Sequence, residues 1–330
     1  MGGYAASAFP LTEETTMGKR TKSQILLLAG IFAVIMVFQF LTGGKLLTSK
    51  NITVILSHAV FPVLASYGLM FIFSGGLIDL SVGANILLSA NVGALLATRL
   101  GLGYPGLVLG CILCAILAGQ LSVQCTLRLH IPAWISGLGS ALILEAILAG
   151  WSTFEASRSE KLPNVTIRFF GRSPGMFILL AVGVLLAYII FNKTSLGINL
   201  QAMGGNRAVA KVMGIDTQKT LILATVIGGF FIGLAAMEDI SFAKKLDCTS
   251  GLNSLNLIFR SHAATLLADS IANIFTKPVG ILISGVLVVA LFNILTLLGV
   301  PSGNYQNIAL GVVVIFCGIL SHIGYKGVAK

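Results

Sequence analysis

Long apolar segments alternate with short polar ones along almost the whole chain, and ten apolar segments stand out. Each has 16 to 22 residues, which is close to the roughly 20 residues that a helix needs to cross a hydrocarbon core. Because a helix satisfies its own backbone groups in lipid, the pattern predicts an all-α polytopic membrane protein. The ten predicted spans are Ile25–Leu41, Ile52–Phe73, Val82–Thr98, Gly106–Leu127, Ile131–Gly150, Met176–Phe191, Thr220–Met237, Ser254–Phe275, Val279–Leu298 and Ile308–Ile323.

Composition supports this prediction. Hydrophobic residues make up 56% of the chain and charged residues only 10%, whereas soluble domains average about 25% charged residues. The net charge is +10, and the basic residues lie mostly between the predicted spans, where they can meet anionic lipid headgroups. No basic stripe interleaved with aromatic residues is present, so nucleic acid is excluded as a partner.

The basic residues also predict the orientation. Eleven lie on the side of the N-terminus and nine on the other side, and the cluster before the first span favours a cytoplasmic N-terminus. Ten spans then place both tails (residues 1–24 and 324–330) in the cytoplasm, with a transmembrane domain over 25–323 in the cell (plasma or inner) membrane. The loop 193–219 is expected inside and the loop 151–175 outside, where the latter either receives an extracytoplasmic partner or lies on the membrane surface.

The inner loop contains a short polar stretch, Gly197–Asp216, that predicts a two-turn helix. Asn206 can cap the start of this helix and Gly214 can end it in a left-handed turn. Arg207 and Lys211 share one face at i, i+4. The opposite face is apolar, with Val209, Val212 and Met213. So short a helix is not stable alone in water, so we expect it to pack on a soluble partner.

A second motif, Ser74–Gly83, places a carboxylate between two predicted spans. A carboxylate there is costly unless it is paired, hydrated or capping. Asp79 and Ser81 precede an apolar helix and can cap its amides; contact with a substrate is the alternative.

A third motif, Ile131–Ser140, opens the fifth predicted span. Pro132 suits a helix N-terminus, where its missing amide hydrogen costs nothing. Gly137 and Gly139 would let a neighbouring backbone approach closely.

Taken together, the three motifs resemble the permease subunits of sugar-type ABC importers, the ribose and branched-chain amino acid permease family. The family pattern GGIDLSVG matches Gly76–Gly83 at seven of eight positions, with Leu77 as the departure. The pattern IPAFIxTLGT matches Ile131–Ser140, with departures at 134, 137 and 140, and GxxxxAIGGNxxAAxxSGI matches Gly197–Ile215. The resemblance covers nearly the whole chain from residue 25 onward.

The resemblance implies an importer of two permeases, two cytoplasmic ATPase subunits that use ATP and Mg, and an extracytoplasmic solute-binding protein. The chain has no GxxxxGK[ST] phosphate loop, no Cys/His cluster with metal-ligand spacing and no evident nucleophile–base pair, so we expect no catalytic site, metal or cofactor in it. The residues expected to couple to the ATPase are Ala202, Gly204, Gly205, Asn206, Arg207, Ala210, Met213 and Gly214. The family-type motif residues are Gly76, Asp79, Ser81, Gly83, Pro132 and Gly139.

The expected function is passage of a small, ribose-type sugar. A nucleoside, a furanosyl signal or a branched-chain amino acid remains an alternative solute, and a non-transporting scaffold is an alternative role. Four polar residues are candidates to line the translocation path, namely Ser57, Asn85, Ser89 and Asn293. The alternative is that their side chains form hydrogen bonds between helices. An ion-coupled secondary transporter would need a buried carboxylate; Glu145 is the clear candidate, although snorkelling to the surface explains it equally well.

The segment 260–280 departs from the family pattern, because a glycine-rich turn expected there is missing. A turn that needs positive φ cannot be built in the same way without glycine. Arg260, His262 and Asp269 show no evident ion pair within this segment. We therefore expect a heterodimer, in which a second, different permease supplies what this half has lost, rather than a homodimer.

Overall fold

The computed structural model describes residues 25, 29–154, 166–248, 250–272, 274–301 and 303–324. Every regular element in that part of the chain is helical, as predicted. Each predicted span overlaps a helix over its described residues. The helices are α1 (Ala29–Leu41), α2 (Ser49–Ser74), α3 (Val82–Thr98), α4 (Gly103–Leu129), α5 (Ala133–Phe154), a 3₁₀ helix (Thr166–Gly171), α6 (Gly175–Lys193), α7 (Ser195–Gly205), α8 (Arg207–Val212), α9 (Thr217–Ala243), α10 (Leu255–Ser270), α11 (Lys277–Leu297) and α12 (Asn304–Gly324).

Six of these helices, α2, α4, α5, α6, α9 and α11, are long and apolar enough to cross a membrane. The shorter apolar helices are α1, α3 and the stretch Tyr305–Ile315 of α12. The helix α10 carries Arg260 and Asp269 and has only 16 residues. A multi-pass helical bundle is therefore established, while the count of ten spans and the cytoplasmic location of both ends stay predictions.

The centre of the bundle is built on α9, which packs extensively on α4 on one side and on α2 on another. The rings of Phe71 and Phe231 stack with centroids 5.7 Å apart. Gly68 and Gly228 bring the α2 and α9 backbones together, since a Cβ atom added at Gly68 would lie 2.9 Å from the Gly228 carbonyl oxygen. Small residues at a membrane helix interface permit this approach, so α2 and α9 form one tightly packed pair.

Glu145 does not snorkel, and that interpretation is wrong. Its side chain is 1% exposed. Its two carboxylate oxygens accept hydrogen bonds from the backbone amides of Leu252, at 2.8 Å, and Ser254, at 2.9 Å. These amides belong to the turn that opens α10. Exposed amides at a helix start need an acceptor where water is excluded, so Glu145 caps α10 from a neighbouring helix.

Candidate coupling helix and polar cavity

The short helix α8 forms as the sequence predicts. The Asn206 side-chain oxygen accepts hydrogen bonds from the backbone amides of Ala208, at 3.0 Å, and Val209, at 3.2 Å. Gly214 follows the helix with φ +87°, a left-handed conformation that glycine adopts without strain. Both ends of α8 are therefore fixed by the two residues that the sequence singled out.

The rest of the chain holds α8 in place from one side only. Ala210 is 1% exposed, and Leu200 and Met203 of the preceding helix α7 are also buried. The Arg207 guanidinium nitrogen Nη2 donates a hydrogen bond to the Gly75 carbonyl oxygen at 2.5 Å. Gly75 caps the C-terminal end of α2, so α8 is tied directly to one of the central helices.

The other side of α8 carries apolar side chains that no described residue covers. Val209 is 52% exposed, Val212 89% and Met213 74%. Gly205 also faces open space, because a Cβ atom added there would meet no atom within 4 Å. Of the expected coupling residues, Ala210 is buried, and the others are exposed, namely Ala202, Gly204, Gly205, Asn206, Arg207, Met213 and Gly214.

The start of α9 follows α8 within five residues and is capped by Asp216. The Asp216 carboxylate accepts a hydrogen bond from the Lys219 backbone amide at 3.1 Å and lies 3.2 Å from the Lys219 ammonium. This hydrogen bond holds the pKa of the Asp216 carboxyl below its ordinary value. The group is fully exposed, so its role is local order at the helix start.

The motif 74–83 connects α2 to α3 through the interior of the bundle. Asp79 is 5% exposed, and its Oδ1 accepts hydrogen bonds from the backbone amide of Ser81, at 2.8 Å, and from the Ser81 hydroxyl, at 2.6 Å. The carboxylate therefore shapes the turn before α3. Gly76 has φ +74°, and a Cβ atom at Gly83 would overlap the Ser254 carbonyl, so both positions need glycine.

The motif 131–140 packs against this connection. The Pro132 carbonyl oxygen accepts from the amides of Ile135 and Ser136 at 3.1 Å and so begins α5. A Cβ atom at Gly137 would lie 2.6 Å from the Leu80 nitrogen, whereas one at Gly139 would meet nothing within 4 Å. The close approach expected of both glycines is therefore seen at Gly137 alone.

The candidate path residues fall into two groups. Asn85 donates from Nδ2 to the Ala115 carbonyl oxygen at 2.9 Å, and the Ser89 hydroxyl donates to Asn85 Oδ1 at 2.9 Å. Both side chains are buried; Asn85 bonds α3 to α4, and Ser89 supports Asn85 from within α3, which fits the alternative of helix–helix hydrogen bonding. Ser57 and Asn293 instead line two adjoining cavities, and Asn293 also exchanges amide hydrogen bonds with Asn51 at 2.8 and 3.0 Å.

The larger of these cavities, here called the polar cavity, has a volume of about 280 Å³. It lies in the half of the bundle away from α8, because its residue Glu238 is 21 positions along α9 from Thr217, or about 31 Å at 1.5 Å per residue. The residues that line it are Ser57, His58, Phe61, Pro62, Glu238, Asp239, Phe242, Asn256, Leu257, Arg260, Phe292, Asn307 and Leu310.

Two carboxyl groups in the polar cavity were missed by the sequence analysis. The predicted span ended at Met237, but α9 continues to Ala243, so Glu238 and Asp239 lie inside the helix. Glu238 is 2% exposed. Its Oε2 and the Oδ2 of Asp239 have no hydrogen-bond partner among the described residues. The sequence signal that could have indicated this site is a pair of adjacent acidic residues directly after an apolar run.

The cavity also carries cationic and aromatic groups. The Arg260 guanidinium carbon lies 4.5 Å from the centre of the Phe292 ring, a cation–π distance. His58 meets the Phe242 ring edge-on at 5.3 Å. Within the described part of the chain, Arg260 forms no ion pair with the carboxyl group of Glu238 or Asp239.

The segment 260–280 contains an ion pair that the sequence analysis did not find. The Lys277 ammonium lies 3.0 Å from Asp269 Oδ1 and 3.4 Å from the Ser74 hydroxyl. Lys277 is the first residue of α11, so the pair closes the connection between α10 and α11. No described residue from 260 to 280 has a left-handed φ. An ion pair thus stands where the family pattern has a glycine-rich turn.

Comparison with known proteins explains this architecture. The family model described as "Branched-chain amino acid transport system / permease component" matches residues 51–318. The chain belongs to this ABC importer permease family. The permease is thus a multi-pass inner-membrane protein.

Its relatives include permeases of two named systems. It is 26% identical over 298 residues to the autoinducer 2 import system permease protein LsrC of Salmonella typhi, covering 86% of this chain and 83% of the relative. It is 25% identical over 325 residues to the ribose import permease protein RbsC of Escherichia coli K12, covering 94% and 99%. No solved structure matches the permease.

Proposed function

We propose that this permease is the membrane subunit of an ATP-driven importer and forms the passage for a small, ribose-type sugar. The observation that carries the proposal is α8, a short, capped helix whose apolar side is left exposed by the part of the chain that the structure describes. Such a surface at the end of a bundle marks a protein interaction site. In this proposal it binds a cytoplasmic ATPase subunit, which uses ATP and Mg.

The contacts of α8 suggest how a push by the ATPase reaches the membrane. Arg207 joins α8 to the end of α2, and only four residues separate α8 from α9. Because α2 and α9 are packed together at Gly68 and Gly228, a displacement of α8 would move them as a unit. Rigid movement of one helix group against another is a common basis of alternating access.

The opposite end of the bundle would receive the extracytoplasmic solute-binding protein. The 3₁₀ helix there is held by Arg168, whose guanidinium donates to the carbonyl oxygens of Ser241, at 2.8 Å, and Phe242, at 3.0 Å. The Tyr104 hydroxyl accepts from the Phe169 amide at 2.8 Å. These contacts fix one end of the predicted outer loop 151–175 to α4 and α9. Residues 155–165 of that loop lie outside the described residues.

We further propose that the permease works beside a second, different permease. The support is the α10–α11 connection, which is closed by Lys277 and Asp269 instead of by glycines. The test is to purify this permease with the ATPase and the binding protein but without a second, different permease. A complex that contains two copies of this chain and transports at the rate of the full system would contradict it.

Uptake by proteoliposomes tests the importer itself. Vesicles that contain the permease, its partner permease and internal ATPase with Mg-ATP are expected to take up labelled ribose only when the binding protein is outside. Nucleosides, autoinducer 2 and branched-chain amino acids are compared in parallel. Glu238 and Asp239, as carboxyl groups within a span, favour an ion-coupled transporter as the second candidate. Uptake driven by an ion gradient without ATP would support that candidate and overturn the proposal.

A further inference from the structure

We propose that the polar cavity is a transit site for a polyhydroxylated solute, in which Glu238 and Asp239 accept hydrogen bonds from solute hydroxyl groups. This inference rests on the proposed importer function and adds a site to it. The residues concerned lie on α2, α9, α10, α11 and α12, so the solute would be held where five helices meet.

The first argument is that the cavity contains unused acceptors. Buried polar atoms in proteins nearly always have a hydrogen-bond partner, and one without a partner costs about 1–3 kcal/mol. Glu238 Oε2 and Asp239 Oδ2 both lack one. An ionised carboxylate only accepts, whereas a protonated carboxyl group also donates one hydrogen bond, so the missing partner is a polar group that can donate to these oxygens. Hydroxyl groups, an ammonium group or a cation are the possible chemistries.

The second argument distinguishes among these donors. A bound metal ion needs several ligands, and the described residues include no group of three His, Cys, Asp or Glu side chains that could hold one. The cavity offers donors as well as acceptors, from Asn256, Asn307 and Arg260. A solute that donates and accepts at several points, as a sugar does, uses both kinds of group.

The third argument is the aromatic wall. Phe61, Phe242 and Phe292 line the cavity together with the charged groups. Ligand sites typically combine apolar walls with a few well-placed polar groups. The C–H face of a sugar ring can lie on such a ring while its hydroxyl groups face the polar atoms. Arg260 is kept against Phe292 at 4.5 Å, so its donors stay at the edge of the cavity.

The fourth argument is Pro62, which lies in the middle of α2 and lines the cavity. Proline has no amide hydrogen, so the helical hydrogen bond to the carbonyl oxygen of His58 is missing. This leaves one further acceptor beside the cavity. The volume of about 280 Å³ lies just below the range of drug-sized pockets, which suits one monosaccharide.

The test uses Glu238→Gln and Asp239→Asn, which keep the size of each side chain but replace one acceptor oxygen by a donor. The matched control is Asp216→Asn, since asparagine caps a helix as well as aspartate does. Uptake of ribose and of 2-deoxyribose is measured in the complete proteoliposome system with one binding protein. Because the binding protein is the same throughout, a change in the ribose-to-deoxyribose ratio reports on the permease.

We expect each cavity variant to lower the rate of ribose uptake about tenfold, the effect of one lost hydrogen bond to a charged group. In at least one of them the ribose-to-deoxyribose ratio should also move toward one. A merely structural role would lower both rates equally and leave the ratio unchanged, which would overturn the proposal. Unchanged uptake in both variants would also overturn it while leaving the importer function intact. Absence of uptake in the unaltered system would instead refute the proposed function.

Discussion

Gly205→Leu is the most direct test of the coupling helix. Gly205 ends α7, next to the cap of α8, and it does not have a left-handed φ. A Cβ atom at this position meets nothing within 4 Å. A side chain can therefore leave the backbone here without a Cβ collision, and we expect an effect on transport to come from a surface that approaches α8 from outside.

The expected magnitude follows from packing. Forcing extra methylene groups into a well-packed contact costs about 1–3 kcal/mol, and about 1.4 kcal/mol corresponds to a factor of ten. If the ATPase packs closely on Gly205, the dissociation constant for the ATPase should rise about 5- to 150-fold. Uptake at limiting ATPase should fall in proportion, while insertion and thermal stability of the permease stay unchanged.

The assay is binding of the purified ATPase to the permease in nanodiscs, followed by ATP-driven uptake in proteoliposomes. The matched control is Gly150→Leu, because a Cβ atom at Gly150 also meets nothing within 4 Å and this residue lies in α5, away from α8. Normal ATPase affinity and normal uptake in Gly205→Leu would refute the reasoning, since the open side of α8 would then not be the docking surface.

Three further predictions concern the bonds that hold the helix ends. Glu145→Ala should lower the free energy of unfolding by about 2–4 kcal/mol, and Glu145→Gln by less, because two amides before α10 lose acceptors; denaturation in detergent measures both. A double-mutant cycle on Asp269→Asn and Lys277→Gln should give a coupling energy of about 0.5–1 kcal/mol, since both side chains are partly exposed, and a zero value would contradict a stabilising pair. Asp216→Ala should lower thermal stability at pH 7, and by less as the pH falls below the ordinary range of an aspartate, because the carboxyl has a depressed pKa and its contribution is lost as the pH falls through that depressed value; a loss that stays the same throughout an acid titration would be inconsistent with this.

The sequence predicted those parts of the site in which the interacting residues are close together along the chain. The ends of α8 were predictable because Asn206 caps amides two and three residues away and Gly214 turns the chain locally. The role of Glu145 was not predictable, because its partners lie more than 100 residues further along the chain.

The polar cavity was missed for a related reason. Hydropathy places the end of a span at the first charges, whereas α9 continues through Glu238 and Asp239 to Ala243. A helix can carry carboxyl groups within the bundle when they face a cavity instead of lipid. That cavity is formed by side chains from helices distant in the sequence, so periodicity within α9 alone could not reveal it.

The coupling helix and the polar cavity are linked by the same two helices. Arg207 binds the carbonyl oxygen at one end of α2, and Pro62 of the same helix lines the cavity. The helix α9 starts beside α8 and brings Glu238 into the cavity. Close-packed interiors transmit displacement because their compressibility is low. The glycine contact brings the backbones of α2 and α9 together at their centre, so one helix cannot shift there without the other. A movement of α8 should therefore change the cavity through α2 and α9 together, and α4 should follow α9, because Gly229 and Gly233 of α9 lie directly against the α4 backbone.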